Sequence, residues 1–266
     1  MSDILDRIVA RRRQEFGVPP PLAKSVGRSP LAAHENPFLA ALTRARGRAV
    51  IAEVKLGSPR IGSLVGRIDP EATARSYAKH GAVALSIVVE PDFFHGSFEL
   101  LTRCKAACGL PTIAKDFVVH PEQFERAKAA GADAILLIAS MHAANSLVEL
   151  AQMARGMGLA PLIETHDRFD VQKLEVAEWE MVGINNRNLK TFAVDLENSM
   201  DLVKGIPKRA EGAESTLKVA ESGIRTGYEV SRLAAAGFDA FLIGETFLLS
   251  PDPGAALARL LDEARQ

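Results

Sequence analysis

Eight short apolar segments recur along the chain, and each stops at a polar or charged residue. They are Ala49–Lys55, Ala82–Glu90, Leu110–Phe117, Ala134–Ser140, Ala160–His166, Met181–Arg187, Leu217–Ile224 and Ala240–Thr246. Near-continuous runs of Ala, Val, Ile and Leu suit parallel strands, which are covered on both faces. Between them lie amphipathic stretches long enough for helices, so the pattern predicts repeated βαβ units. Eight such units close a (β/α)8 TIM barrel, an α/β fold whose strand C-termini meet at one mouth. Asp69 before Pro70 predicts an N-capped helix over Pro70–Lys79. Glycines after Pro121–Ala130 and Tyr228–Ala236 predict where those helices end. The phrases AAGADAILLIA (129–139) and AAGFDAFLIGE (235–245) are near copies, as an internally repeated fold requires. The mixed stretch Lys204–Ser215 reads as a surface loop or weak helix.

Residues 1–48 precede the first strand and form a helical extension to a barrel over 49–266, the whole making one domain. Ile4, Leu5, Ile8 and Val9 recur at helical spacing and predict a helix over Asp3–Phe16, broken by Pro19–Pro21. A second helix is expected over Asn36–Arg46. The extension's apolar face either plugs the bottom of the barrel or covers its mouth.

The strand ends supply the candidate chemistry: Glu53, Lys55, Glu90, Lys115, Ser140, Glu164, Asn185, Arg187, Glu221, Ser222 and Glu245. Glu53 and Lys55 are two apart, so alternation turns both to one side of the strand. Asp116, next to Lys115, should point the other way, toward the helices, and Asn186 should brace the loop. Gly223 and Gly244 follow the last two strands, where barrels of this kind often hold phosphate and glycine lets backbone N–H groups approach an anion. Amines, carboxylates, an amide and a guanidinium at one mouth suit acid–base chemistry on an anionic, carbonyl-containing small molecule. No Ser or Cys stands beside a His as a nucleophilic triad would require.

A chain of 266 residues suits one such barrel, and a net charge of −1 lacks the basic excess of a nucleic-acid binder. Arg11–Arg13 reads as a solvated helix face. No run approaches the roughly 20 apolar residues of a membrane span, and the first residues lack the order of a secretory signal. A cytoplasmic protein is expected, working as a monomer with weak self-association left open. Cys104 and Cys108 lie one helical turn apart with no further Cys or His cluster, so they read as reduced thiols. No metal or cofactor is expected.

The ordered phrases resemble the indole-3-glycerol phosphate synthase family. They are VIAEVK with SP (50–59), FFHGSFELL (93–101), KDFVVHPEQ (115–123), GADAILLIAS (131–140), GINNRNLKTFAVDLE (183–197) and AESGIRT (220–226), after ILDRIVARRR (4–13). The resemblance implies ring closure, decarboxylation and dehydration of 1-(2-carboxyphenylamino)-1-deoxyribulose 5-phosphate. It implies a general acid at Lys115, a base at Glu164, a second acid–base pair at Glu53 and Lys55, and groups holding hydroxyls and developing charge at Asn185 and Glu221. It assigns the phosphate end to Ser58, Arg187, Ser222, Gly223, Gly244 and Glu245, and apolar walls for the aromatic ring to Phe94 and Phe117. A lysine acid calls for a pKa lowered by burial or a nearby cation.

The chain departs from the family pattern at Leu56, at Ser58–Gly62, where Arg60 takes over a displaced charge, and at Ala114, His120 and Asn188. These departures bear on affinity and on the first loop, and none removes a proposed acid or base. Two other readings stand beside this one. A different phosphosugar barrel, an isomerase or a Schiff-base aldolase, would lack the Lys115 phrase or be trapped by borohydride. A non-catalytic ligand-binding barrel would show no turnover.

Overall fold

The computed structural model describes residues 4–20, 29–188 and 193–265. Eight parallel strands close on themselves: β1 Ala49–Val54, β2 Ala84–Val88, β3 Thr112–Lys115, β4 Ala134–Ile138, β5 Ala160–Thr165, β6 Met181–Asn185, β7 Leu217–Glu221 and β8 Ala240–Ile243. Each pairs with its sequence neighbour, and β1 pairs with both β2 and β8. This is the (β/α)8 barrel that the segment pattern predicts. Every expected segment contains one strand, but the strands are shorter. The ladder ends where the chain must turn outward, and the polar residues past that point belong to loops.

Alternation divides the strands between two apolar layers. Val50, Ala52 and Val54 of β1 pack outward under the helices with Ile135, Leu137 and Phe241, while Ala49 and Ile51 face the barrel interior with Leu162, Val219 and Leu242. One further inward step past that interior layer lie Glu53, Lys115, Glu164, Asn185, Glu221 and Gly244. The pleat that builds the core therefore also delivers the polar residues to the mouth.

Two loop details repeat, as the near-copied phrases require. Asp133 accepts from the backbone N–H of Thr112 at 2.8 Å, and Asp239 accepts from that of Lys218 at 2.9 Å. Each follows a glycine at positive φ, Gly131 and Gly237, and each locks its strand onto the preceding one.

The helix Pro70–Lys79 is found as predicted, with Asp69 accepting from Ala72 N–H at its N-cap. The other two glycine-terminated helices span Glu122–Ala129 and Gly227–Ala235. Between Lys204 and Ser215 the chain is mostly irregular. Both cysteines are free; Cys104 is buried and its thiol is pushed up to about 12 by that burial.

The extension splits its work between the two ends of the barrel. Helix α1 (Ile4–Phe16) lies over the mouth, whereas helix α2 (Pro37–Arg44) plugs the bottom. Phe38, Leu39 and Leu42 of α2 pack on Ala49, Ala84, Ala134 and Ala240, the first residues of their strands. Asn36 caps α2, accepting from Phe38 N–H at 2.9 Å, and donates to the carbonyls of Asp133 and Gly158 at 2.8 and 3.1 Å. The two expectations for the extension are thus each met by a different helix. Asp3, Pro21 and residues 189–192, which formed part of the sequence reading, lie outside the described residues.

Candidate active site

The cleft at the C-terminal mouth is divided by chemistry. On one side Phe94 and Phe117 meet with ring centroids 5.9 Å apart, and Ile4, Leu5 and Ile8 of α1 complete an apolar wall. On the other side lie Ser58, Arg60, Arg187, Ser222, Gly223, Gly244 and Glu245. The acids and bases stand between.

Lys115 is the hub. Its Nζ is 2.6 Å from Glu221 Oε2 and 3.1 Å from Glu164 Oε2. Lys55 and Glu53 form a second pair at 2.7 Å, on one side of β1 as alternation requires. Ser86 Oγ donates to Glu53 at 3.5 Å. Asn185 lines the same cleft, and its Oδ1 accepts from the N–H of Arg187 at 3.0 Å. Asn186 turns away and braces the loop by donating to the Ser222 carbonyl at 2.7 Å.

Buried charges interacting this strongly shift one another. Burial works to lower the Lys115 pKa, but the carboxylates of Glu221, Glu164 and Glu53 overcome it and hold the amine well above its usual range. The expected lowering is therefore not found, because three carboxylates outweigh desolvation. Burial pushes Glu221 up to about 7 despite Lys115. Glu164, buried as deeply, is held below the usual carboxylate range by Lys115 and His166. Glu53 is likewise lowered, by Lys55 and Lys115 acting against burial.

At the opposite side both glycines are required. Gly223 has φ 74, and a Cβ there would come within 2.2 Å of Val194. A Cβ on Gly244 would lie 2.6 Å from Glu53 Oε1. Ser222 also adopts a left-handed φ of 67, uncommon for a residue with a side chain. A short antiparallel ribbon, Gly57–Ser58 with Gly62–Ser63, carries Arg60 across the mouth. There Arg60 pairs with Glu245, whose carboxylate is also 3.6 Å from Arg187. The displaced basic residue thus arrives beside Arg187, and the Glu245 side chain, expected only near the phosphate end, is held by two guanidinium groups.

Two strand-end candidates fall elsewhere. Glu90 is buried and caps the short helix Pro91–Phe94, accepting from the N–H groups of Asp92, Phe93 and Phe94. Ser140 is exposed in the turn after β4 and does not line the cleft. Both sit past the end of their ladders, where alternation no longer sets direction. Among the departures, Ala114 is fully buried in the outer layer and Leu56 packs against the edge of that same layer. His120 still serves its helix, its Nδ1 accepting from the N–H of Glu122 at 3.2 Å.

Sequence reasoning missed Arg12, Asp116 and His166. Asp116 does turn toward the helices, donated to by Gln123 at 2.8 Å, but it also forms a buried ion pair with Arg12 of α1. The charged face of α1 was the available signal: Arg12 is 1% exposed, unlike a solvated arginine.

A closed barrel whose mouth gathers paired acids and bases, with glycines after β7 and β8, has the architecture of a (β/α)8 barrel enzyme. Solved structures at low identity share this fold. Thiamine phosphate pyrophosphorylase from Pyrococcus furiosus superposes with a TM-score of 0.59 at 14% identity, covering 84% of this chain and 98% of that one. Orotidine 5'-phosphate decarboxylase from Pyrococcus horikoshii gives 0.55 at 15%, covering 74% and 93%. Sequence comparison is narrower. The family model for indole-3-glycerol phosphate synthase matches residues 5–260. Indole-3-glycerol phosphate synthases of Albidiferax ferrireducens and Burkholderia vietnamiensis are 40% and 41% identical, covering 99% and 98% of this chain and 100% and 99% of theirs. The chain belongs to the indole-3-glycerol phosphate synthase family. With that family goes a carboxy-lyase activity of tryptophan biosynthesis, which replaces the isomerase, aldolase and ligand-sensor alternatives. Among the described residues, no helix is long and apolar enough to cross a membrane, and no group of three or more His, Cys, Asp or Glu is placed to share a metal.

Proposed function

We propose that this cleft closes the indole ring on 1-(2-carboxyphenylamino)-1-deoxyribulose 5-phosphate, releasing carbon dioxide and water, with the residue roles set out here. The observation that carries the reading is the position of Lys115. Its ammonium stands between two carboxylates, at the seam between an apolar wall and an anion corner. A substrate with an aromatic ring at one end and a phosphate at the other spans that seam with its ketone near Lys115.

The phosphate rests against the backbone at Gly223 and Gly244, with Ser58, Arg187 and Ser222 around it. Glycine permits the close approach of backbone donors. The aromatic ring lies on Phe94 and Phe117 under α1. Lys115 donates a proton to the ketone oxygen as the ring carbon bearing the carboxylate attacks, so a carbon–carbon bond and a hydroxyl form together. Loss of carbon dioxide restores the aromatic ring and needs little beyond a dry site. The hydroxyl then leaves as water, protonated by one acid of the mouth, while the adjacent ring CH2 carbon gives up a proton to a carboxylate, so the ring C=C bond forms and the nitrogen keeps its hydrogen. Glu164 is the base for that step, with Lys55 and Glu53 as the second pair. Asn185 and Glu221 hold hydroxyls and the charge that develops.

The substrate's arrival also resolves the raised pKa of Lys115. A ketone oxygen inserted between the amine and its carboxylates separates them, and an ammonium next to a developing alkoxide is a better acid than one between two anions.

The reading takes residues 1–48 as an extension that serves the barrel from both ends. It also takes the chain as a cytoplasmic monomer with neither nucleic acid nor membrane as partner, supported by its balanced charge. Incubation with the carboxyphenylamino-deoxyribulose phosphate should give rising indole fluorescence and one carbon dioxide per turnover. A purified, folded protein that releases neither would overturn the assignment.

A further inference from the structure

Glu164 and Glu221 share Lys115 and act on each other, but Glu164 has a second basic neighbour of its own. Among the described residues, Glu221 Oε1 is buried with no hydrogen-bond partner beyond the pair with Glu164. Glu164 Oε1 instead faces the imidazole of His166, with Nε2 at 3.3 Å. On the far side of that ring Nδ1 is 3.7 Å from Asp170 Oδ2. Asp170 is buried and fixed in turn: Lys173 donates to it at 3.1 Å, the backbone N–H of His166 at 3.2 Å, and Lys173 also reaches the Ala139 carbonyl at 2.7 Å. A chain of alternating charge therefore runs from Lys173 through Asp170, His166 and Glu164 to Lys115.

We propose that His166 is a positioning residue for the reaction, an imidazolium flanked at ion-pair distance by Asp170 and Glu164 that orients Glu164 and keeps it ionised as a base. It rests on the reading of Glu164 as that base. The physical need is specific. Two buried carboxylates around one amine cannot both stay ionised cheaply, and one of them takes up a proton first. A second cation beside Glu164 alone decides which: Glu164 stays charged, and Glu221 becomes the member that binds a proton near neutrality. The titration directions agree. Burial would lower the His166 pKa, but Asp170 and Glu164 push it up to about 10, while Glu221 moves up to about 7. The charged groups facing Glu164 are Lys115 from β3, Glu221 from β7, Glu53 from β1 and His166 from its own loop; those facing His166 are Glu164 and Asp170.

The test measures kcat and KM against pH for wild type, Glu164→Gln, His166→Gln and the double variant. Removing a cation beside a carboxylate raises that carboxylate's pKa, so the acid limb of kcat in His166→Gln should move up by about one unit. Below that limb kcat should fall about tenfold, with KM within about twofold of wild type. In the Glu164→Gln background the His166 substitution should cost nothing further. An unshifted limb, or a loss that adds in full to that of Glu164→Gln, would overturn the proposal. Failure of the underlying reading looks different: Glu164→Gln alone would keep its kcat. Should His166→Gln not fold, nitrogen NMR of the wild-type enzyme decides instead. One of the six histidines should remain an imidazolium at pH 8.5, and six neutral rings there would equally sink the proposal.

Discussion

Arg12 of α1 forms a buried ion pair with Asp116, the residue next to Lys115, and both side chains are 1% exposed. The capping helix is thus fastened to the strand that carries the proposed acid. Further ties run to neighbouring loops: Arg11 to Asp92 at 2.8 Å, and Phe16 stacked on His120 at 6.0 Å. The exposed tie contributes little, so the buried pair is the main anchor. Truncating Arg12 to Ala leaves Asp116 buried without its cation, a loss of about 3–5 kcal/mol. Most of that should appear as undocking of α1 rather than global unfolding. The expected result is a raised KM and faster proteolysis within α1, with a urea midpoint close to wild type.

The two helices of the extension should separate cleanly. Deleting residues 1–20 opens the mouth and should raise KM several-fold while the melting temperature changes little. Phe38→Ala, at the fully buried plug, should do the reverse, costing about 3–5 kcal/mol of stability with KM unchanged. Equal effects of both changes on both quantities would refute the division of labour. Deleting residues 1–45 together would mix the two.

Lys115→Ala should reduce kcat by roughly 100-fold or more, the scale of a lost general acid. It also leaves Glu164 and Glu221 facing one another. A shared proton relieves that repulsion at low pH, so the variant's stability should drop below wild type as pH rises past about 7. A variant retaining a tenth of the wild-type kcat would remove Lys115 from its role.

Inorganic phosphate or sulfate should compete weakly with substrate, and crystals grown in sulfate should hold an anion near Gly223 and Gly244. Arg187→Ala should weaken that inhibition and raise KM. If the anion is absent from a well-ordered mouth, the phosphate end lies elsewhere.

Stability should carry the signature of His166. Its pKa is about 6.5 ordinarily and about 10 in the fold. The folded protein therefore keeps a proton that the unfolded chain releases across that window. The contribution is present in full below about 6.5 and lost as pH rises through 10. Denaturation curves at pH 6, 8 and 10 should show the gap between wild type and His166→Gln narrowing. A constant gap would mean the ring is not held charged.

The barrel was legible in the sequence because its signal is local. Each strand is a short apolar run, most helices have their own cap or glycine stop, and alternation fixes which residues reach the interior. The same rule placed Glu53, Lys115, Glu164, Asn185 and Glu221 at the mouth, since each lies two residues past an interior position. It failed for Glu90 and Ser140, which lie beyond their ladders, where the pleat no longer dictates direction.

What only the tertiary structure decided depends on partners distant in the chain. Periodicity showed that the two extension helices need cover but not what covers them, so α1 at the mouth and α2 at the base became distinct only in three dimensions. Arg12 read as one charge of a solvated face until Asp116, 104 residues away, withdrew it from water. The protonation order around Lys115 was equally hidden. It depends on a 3.3 Å approach by His166 to one carboxylate and on the deep burial of the other, Glu221. Sequence alone brought Glu53, Lys115, Glu164, Asn185 and Glu221 to the mouth. Their charges were decided by distance and burial, because electrostatic energy depends on separation and dielectric, and neither is written in the order of residues.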